Sequence, residues 1–228
     1  MSIKIIADIS GNHGGYLEKA EELIREAARC GCDYAKFQYY RPRDMYGSRE
    51  ETEIYHRLAV PHDWLEPLFD CAHQSYIKLF ASVFSVDGIK ELLPFNPPYF
   101  KFASPLSTWL PQGVYEGMAE AASTTGTSIL ASTDENSRPK VQGYHPNFLL
   151  FCPPGHPYTV TDDDLRVFYE GGHYDGLSDH SPGLAAPLAF ARIGARIIEK
   201  HLKLDDNCID APFSATPKIM ERLCQILK

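Results

Sequence analysis

The sequence predicts an α/β fold, a (β/α)8 TIM barrel, on three observations. Short apolar runs rich in β-branched and aromatic residues recur along the chain. Stretches of helical periodicity separate them. Each run is apolar almost throughout, as in strands buried on both faces of a parallel sheet. Eight such units fit in 228 residues, because this fold runs from roughly 200 residues upward. No linker composition or short repeat divides the chain, so residues 1–228 read as a single domain. A doubly wound open sheet is the runner-up. It would call for a Gly-rich phosphate loop after a strand, and Gly11–Gly15 matches that pattern poorly.

The elements follow in order. Residues 3–9 form the first apolar run. Leu17, Ala20, Leu23, Ile24, Ala27 and Ala28 recur at helical spacing, and Gly31 ends the helix. Residues 34–38 give a second strand, and the connection between the two makes them parallel. A polar loop over 41–61 carries a short helix around 50–58. Trp64, Leu65, Leu68, Phe69 and Ala72 form the next helical stripe. Strands follow at 77–82, 99–103, 127–132, 147–152, 173–177 and 196–199. Helices are expected at 86–93, 114–122, 162–169, 183–194 and 217–227. Thr161 is placed to cap the helix at 162, and Pro217 suits a first helical position. Residues 133–146 hold Pro139, Gly143 and Pro146 with little apolar periodicity, so the fifth helix is predicted to be shortened or missing.

Composition narrows the function. The chain is 44% hydrophobic and 23% charged with a net charge of -8. It has no Lys/Arg block, which argues against nucleic acid and against an anionic membrane surface as partners. No apolar window reaches the length of a membrane span. The opening apolar run is short and interrupted by Asp8, unlike a signal peptide, so a cytoplasmic protein is expected. The six cysteines show no CxxC pairing and read as free thiols.

In a barrel of this kind the C-terminal strand ends carry the chemistry. Here those ends are polar: Asp8, Lys36, Gln38, Ser82, Lys101, Ser104, Ser132, Thr133, Ser178, Asp179, His180, Glu199, Lys200 and His201. Lys36 and Lys101 interrupt apolar strands. Each either reaches the rim or pairs with a carboxylate such as Asp8. Two such lysines among Ser and Thr hydroxyls point to an anion pocket for phosphate and carboxylate. His180 and His201 each follow a strand, on neighbouring strands, and make a candidate metal pair. Asp179 and Glu199 are candidate acceptors behind them. A two-ligand site leaves positions for water and substrate, as Lewis-acid chemistry requires. The other histidines, His156 among them, read as surface or packing residues. Only His13 also follows a strand.

These motifs resemble the sialic acid synthase family, which includes the synthases of legionaminic, pseudaminic and spore-coat sugars. The resemblance rests on Ile6-Ala-Asp-Ile with Asn12-His13-Gly14, Lys36-Phe-Gln38, Phe84, and Tyr99-Phe-Lys-Phe-Ala-Ser104. It continues through Ile129-Leu-Ala-Ser-Thr133, Leu149 to Cys152, Gly176-Leu-Ser-Asp-His180, Glu199-Lys-His201 and Asp210 to Ser214. It implies condensation of phosphoenolpyruvate with an open-chain N-acylated amino sugar, N-acetylmannosamine or a related hexosamine. It implies a divalent metal on His180 and His201, manganese first, with magnesium and cobalt as alternatives. Lys101, Ser104, Ser132 and Ser178 match the phosphoenolpyruvate cradle, with Lys36, Gln38 and Ser82 beside it. Asp8, Lys36 and Asp210 are the implied catalytic residues, Asp8 standing where Glu is usual and Asp210 lying near the sugar and a metal-bound water. A homodimer is implied as well.

The departures fall on the sugar side. Pro105-Leu106 replaces a Gly-acid pair, Phe151 precedes Cys152 where His is usual, and the following run is Pro153-Pro-Gly-His-Pro157. Ending at Lys228, the chain is expected to lack the family's C-terminal antifreeze-like domain; whether a separate antifreeze-like domain protein supplies it is left open by the sequence. Two alternatives stand beside the synthase: a non-catalytic barrel that binds a phosphorylated ligand or partner, and an aldolase with a Schiff base on Lys36 or Lys101.

Overall fold

The β-branched and aromatic runs close on themselves. In the computed structural model, which describes residues 2–44, 53–104, 111–134, 146–171 and 173–228, eight parallel strands form a closed barrel in chain order. They are β1 (Lys4–Asp8), β2 (Tyr34–Tyr39), β3 (Lys78–Val83), β4 (Tyr99–Phe102), β5 (Ser128–Thr133), β6 (Phe148–Phe151), β7 (Gly176–Asp179) and β8 (Ile197–His201). The helices are α1 (Leu17–Arg29), α2 (Glu53–Leu58), α3 (Leu65–Gln74), α4 (Val86–Leu92), α5 (Gln112–Ser123), α6 (Asp162–Gly171), α7 (Ala185–Arg192) and α8 (Pro217–Leu227). Most of the span expected to lack a full fifth helix, residues 135–145, lies outside the described residues, and so do Pro105 and Leu106.

Side chains alternate across each strand, so one barrel wall serves two cores. Outward residues such as Ile5, Ala7, Ala35, Phe37, Phe100 and Ile198 join the helices in the main core. In α1, Ala20, Leu23, Ile24 and Ala27 supply the buried face. Inward residues Ile6, Phe80, Leu130, Leu150 and Ile197 form a smaller apolar cluster inside the barrel, with Tyr34, Tyr99 and Phe148 packed against it. The next inward residue along β1 is Asp8 and along β2 is Lys36. The polar site therefore sits directly above a dry plug.

Two strands are displaced from the sequence expectation by more than one residue. The last strands were expected at 173–177 and 196–199 and are found two to three and one to two residues later. Pairing decides this. β8 runs beside β1 from Lys4↔Ile197 to Asp8↔His201, which draws Lys200 and His201 into the strand. Tyr174 instead packs outside the barrel, edge-on to Phe151 and stacked with Phe168. β7 opens at Gly176, where a Cβ would lie 1.9 Å from the Ile197 carbonyl oxygen. His201 thus closes β8, whereas His180 follows β7. Among the described residues, no helix is long and apolar enough to cross a membrane.

Candidate active site

A cavity of about 170 Å³ opens at the C-terminal ends of the strands. Its wall includes Asp8, Lys36, Gln38, Lys101, Ser104, Ser132, Ser178, His180, His201 and Asp210. Of the strand-end residues named from sequence, Ser82, Thr133, Asp179 and Lys200 are not in that wall. Ser82 is fully buried, next to Lys101 in register.

The two strand lysines do not reach for solvent. Lys36 Nζ lies 2.6 Å from Asp8 Oδ2 and 3.3 Å from Glu199 Oε1. Lys101 Nζ donates to Ser132 Oγ at 2.8 Å and to Glu199 Oε1 at 3.2 Å. Ser178 Oγ donates to the same Glu199 oxygen at 2.8 Å. Glu199 is therefore the hub of the lysine array and not a support for the histidines. Asp179 is also engaged elsewhere, with Lys200 at 2.6 Å and with Ser181.

Burial and charge set the protonation states. Burial alone would raise the Asp8 carboxyl. The ammonium of Lys36, His201 and hydrogen bonds from Lys36 and Ser10 more than offset it, bringing it to about 2. Glu199 is likewise held below the ordinary range by Lys101 and Lys36 despite its burial. For Lys101, burial wins and its pKa falls, helped by the nearby Lys36 charge. For Lys36, burial is overcome by Asp8 and Glu199 and its pKa rises.

The histidines stand beside this array, joined to it through Asp8. Their ring centroids are 5.2 Å apart. His201 Nε2 is 3.3 Å from Asp8 Oδ2, and its Nδ1 is 3.1 Å from Asp210 Oδ2. Burial would lower the His201 pKa, but these two carboxylates raise it. His180 goes the other way, held well below its usual value by burial and then by His201 and His156. Its Nδ1 is 3.8 Å from Cys152 Sγ, and burial pushes that thiol up to about 11. Asn12 anchors the Asp210 loop: its Oδ1 accepts from Asp210 N at 3.2 Å, and its Nδ2 donates to Ser214 Oγ at 3.0 Å.

The donor set is compatible with a divalent cation. Burial and the neighbouring imidazoles favour the neutral form of His180, the form in which imidazole ligates. His201 lies between two carboxylates, and its buried Nδ1 makes no well-aligned hydrogen bond despite the nearness of Asp210. Among the described residues no group of three or more His, Cys, Asp or Glu stands close enough together to hold a metal ion by itself. Two imidazoles with Asp210 beside them leave room for substrate oxygens. Ser82 Oγ and Glu199 Oε2 are also buried without a hydrogen-bond partner among the described residues.

His156, read from sequence as a surface or packing residue, belongs to the site. Its ring centroid is 3.8 Å from that of His180. Tyr55, Phe84, Ala103, Cys152 and Glu199 also line the cavity. His156 sits in a Pro/Gly-rich turn with no periodicity to place it. His13 faces Trp64 edge-on and is not part of the wall.

Comparison with known proteins agrees with the barrel fold. The family model described as the NeuB family matches residues 23–228. A pseudaminic acid synthase of Campylobacter jejuni is 29% identical over 227 residues, covering 89% of this chain and 66% of its own length. The human N-acetylneuraminate-9-phosphate synthase is 29% identical, covering 93% of this chain and 65% of its own. The chain thus spans about two thirds of the length of these relatives. The crystal structure of an N-acetylneuraminic acid (sialic acid) synthetase from Leptospira borgpetersenii, in complex with citrate, superposes with a TM-score of 0.87 at 27% identity. That match covers 99% of this chain and 82% of the other. With a barrel of the same architecture and a match over nearly its whole length, the chain belongs to the NeuB family.

Proposed function

We propose that the protein condenses phosphoenolpyruvate with the aldehyde of an open-chain N-acylated amino sugar, giving a 2-keto sugar acid and phosphate. A divalent cation, Mn²⁺ first with Mg²⁺ and Co²⁺ as alternatives, would be held by His180 and His201 with Asp210 alongside. The observation that carries the reading is one cavity lined by two kinds of group: lysines and hydroxyls gathered around Glu199, and a histidine pair joined to them through Asp8. The relatives are named as synthases of sialic-acid-like sugars, which agrees with it.

In this reading Lys101, Ser132, Ser178 and the Ser104 N–H receive the phosphate and carboxylate. The Ser104 N–H already points to Ser132 Oγ, 3.1 Å away. An anion seated there returns to Lys101 the charge that burial disfavours. Lys36 and Gln38 border the enol carbon, and the apolar plug beneath keeps bulk water from that side. A bound divalent cation would polarise the sugar aldehyde. C3 of phosphoenolpyruvate then bonds to the aldehyde carbon, whose oxygen takes up a proton. Water adds at C2 and gives up one proton, and the new C2 hydroxyl passes its own proton to the departing phosphate as the C2–O bond breaks and the keto group forms. Asp210 and Asp8 are the carboxylates placed to accept the proton that the water gives up.

The test is phosphate release across a panel of N-acylated hexosamines. Release is expected only with phosphoenolpyruvate, acceptor and Mn²⁺ together, and is expected to vanish in His180→Ala and His201→Ala. No release with any acceptor would instead favour a non-catalytic barrel that binds a phosphorylated ligand. Borohydride trapping of a lysine adduct would favour an aldolase.

A further inference from the structure

Among the described residues three lysines are buried, Lys36, Lys101 and Lys200. The reaction above uses the first two. Lys200 is fully buried and is not in the cavity wall. Glu199 points into the barrel, so Lys200, next along the strand, points out of it.

Its ammonium ties together the three segments that build the histidine side. Lys200 Nζ donates to Asp179 Oδ2 at 2.6 Å, to the Ser181 carbonyl at 2.8 Å and to the Phe213 carbonyl at 3.4 Å. Asp179 and Ser181 flank His180, and Lys200 itself precedes His201. Phe213 stands edge-on to three imidazoles, with centroids 4.9 Å from His201, 5.5 Å from His180 and 5.6 Å from His156. One charge thus fixes both histidine-bearing strand ends and the ring packed against them.

The same module occurs elsewhere in the barrel. Asp179 Oδ1 accepts from Ser181 N at 3.0 Å and Ser181 Oγ at 2.6 Å, and its Oδ2 pairs with the lysine beside it in register. Asp8 accepts from Ser10 at the same two distances and pairs with Lys36, also its register partner, again at 2.6 Å. The Asp8 copy faces the cavity. The Asp179 copy faces away from it and takes no part in its wall. Replacing a buried ion pair by apolar residues of similar volume is often neutral or stabilising, so net stability is a poor account of it.

We propose that the Lys200–Asp179 pair is a positioning device for the active site. It sets the relative placement of His180, His201 and Phe213, and through them the affinity for a divalent cation. The affinity part rests on the cation reading above; the placement part does not.

The experiment compares the wild type with the double variant Asp179→Leu/Lys200→Met, and with the milder Asp179→Asn. Thermal unfolding, Mn²⁺ titration calorimetry and metal-free crystal structures are measured on each. Expected are an unfolding temperature at or above that of the wild type in the double variant, Mn²⁺ binding weakened about 10–100-fold, and a displaced Phe213 with altered His180–His201 separation. Unchanged ring positions with unchanged Mn²⁺ affinity would overturn the proposal. If the wild type binds no Mn²⁺, the cation reading fails, and the metal-free ring positions alone decide the placement claim. If neither variant folds, the pair serves stability and the positioning proposal is wrong.

Discussion

At the scale of residues, Glu199 carries the most. One of its oxygens accepts from Lys101 and Ser178 and lies 3.3 Å from Lys36. Glu199→Gln removes the one carboxylate among the described residues that touches both lysines, and leaves the Lys101 charge poorly compensated. Breaking a buried pair from one side costs about 3–5 kcal/mol, and denaturant unfolding of Glu199→Gln should show a loss in that range. A change within experimental error would mean that the lysines are not charged together. On the ligand side, Lys101→Met should weaken phosphoenolpyruvate by roughly 10²-fold or more, as loss of a charge-stabilising donor does. Calorimetric titration reads this directly. Such residues were legible in the sequence because a charge inside an apolar strand demands a partner. Which partner was not legible: Asp8 suited Lys36 by position, but the Glu199 hub depends on strands four, seven and eight meeting across the barrel. His156 was missed for the same reason, since only the folded turn lays it on His180.

At the scale of elements, β7 and β8 decide where the histidines stand. Their closeness depends on Gly176, where even a methyl group would collide with the Ile197 backbone. Gly176→Ala should therefore destabilise by about 4 kcal/mol or more, in the class of overpacked core changes, or prevent folding. A melting temperature near that of the wild type would show that β7 can shift instead. The helix following β8 is set more gently. Thr216 Oγ1 accepts from Ile219 N at 3.4 Å, and Pro217 takes the first helical position. Thr216→Ala should cost about 0.5–1 kcal/mol, measurable by denaturant titration. Periodicity located all these elements, and the last helix was placed at its observed bounds. The strand ends slipped by up to three residues because local pattern says nothing of pairing register. Asp8 opposite His201 is a fact about β1 and β8 together.

At the scale of the whole molecule, the barrel closes where β1 meets β8, and charges on its lower face brace the closure. Asp33 accepts from the Ile5 backbone at 2.9 Å, and it pairs with Lys4 at 3.1 Å and Lys228 at 2.8 Å. Burial would raise its pKa, but these partners, Lys228 first, hold it below the usual value. A carboxyl with a depressed folded pKa adds stability above its unfolded value, near 3.9, and loses it as pH falls through the folded one. The wild type should therefore lose stability below about pH 4 more steeply than Asp33→Asn, with the gap narrowing in salt. Parallel slopes would remove Asp33 from the account. At this scale the sequence was most informative, since eight alternating units already implied the rim on which the site lies. The central claim concerns that rim, and a crystal soaked with Mn²⁺ and phosphoenolpyruvate tests it most directly. The account predicts Mn²⁺ between His180 and His201 and the phosphate among Lys101, Ser132 and Ser178. A cavity that takes up neither, or phosphoenolpyruvate bound away from the lysines, would contradict it.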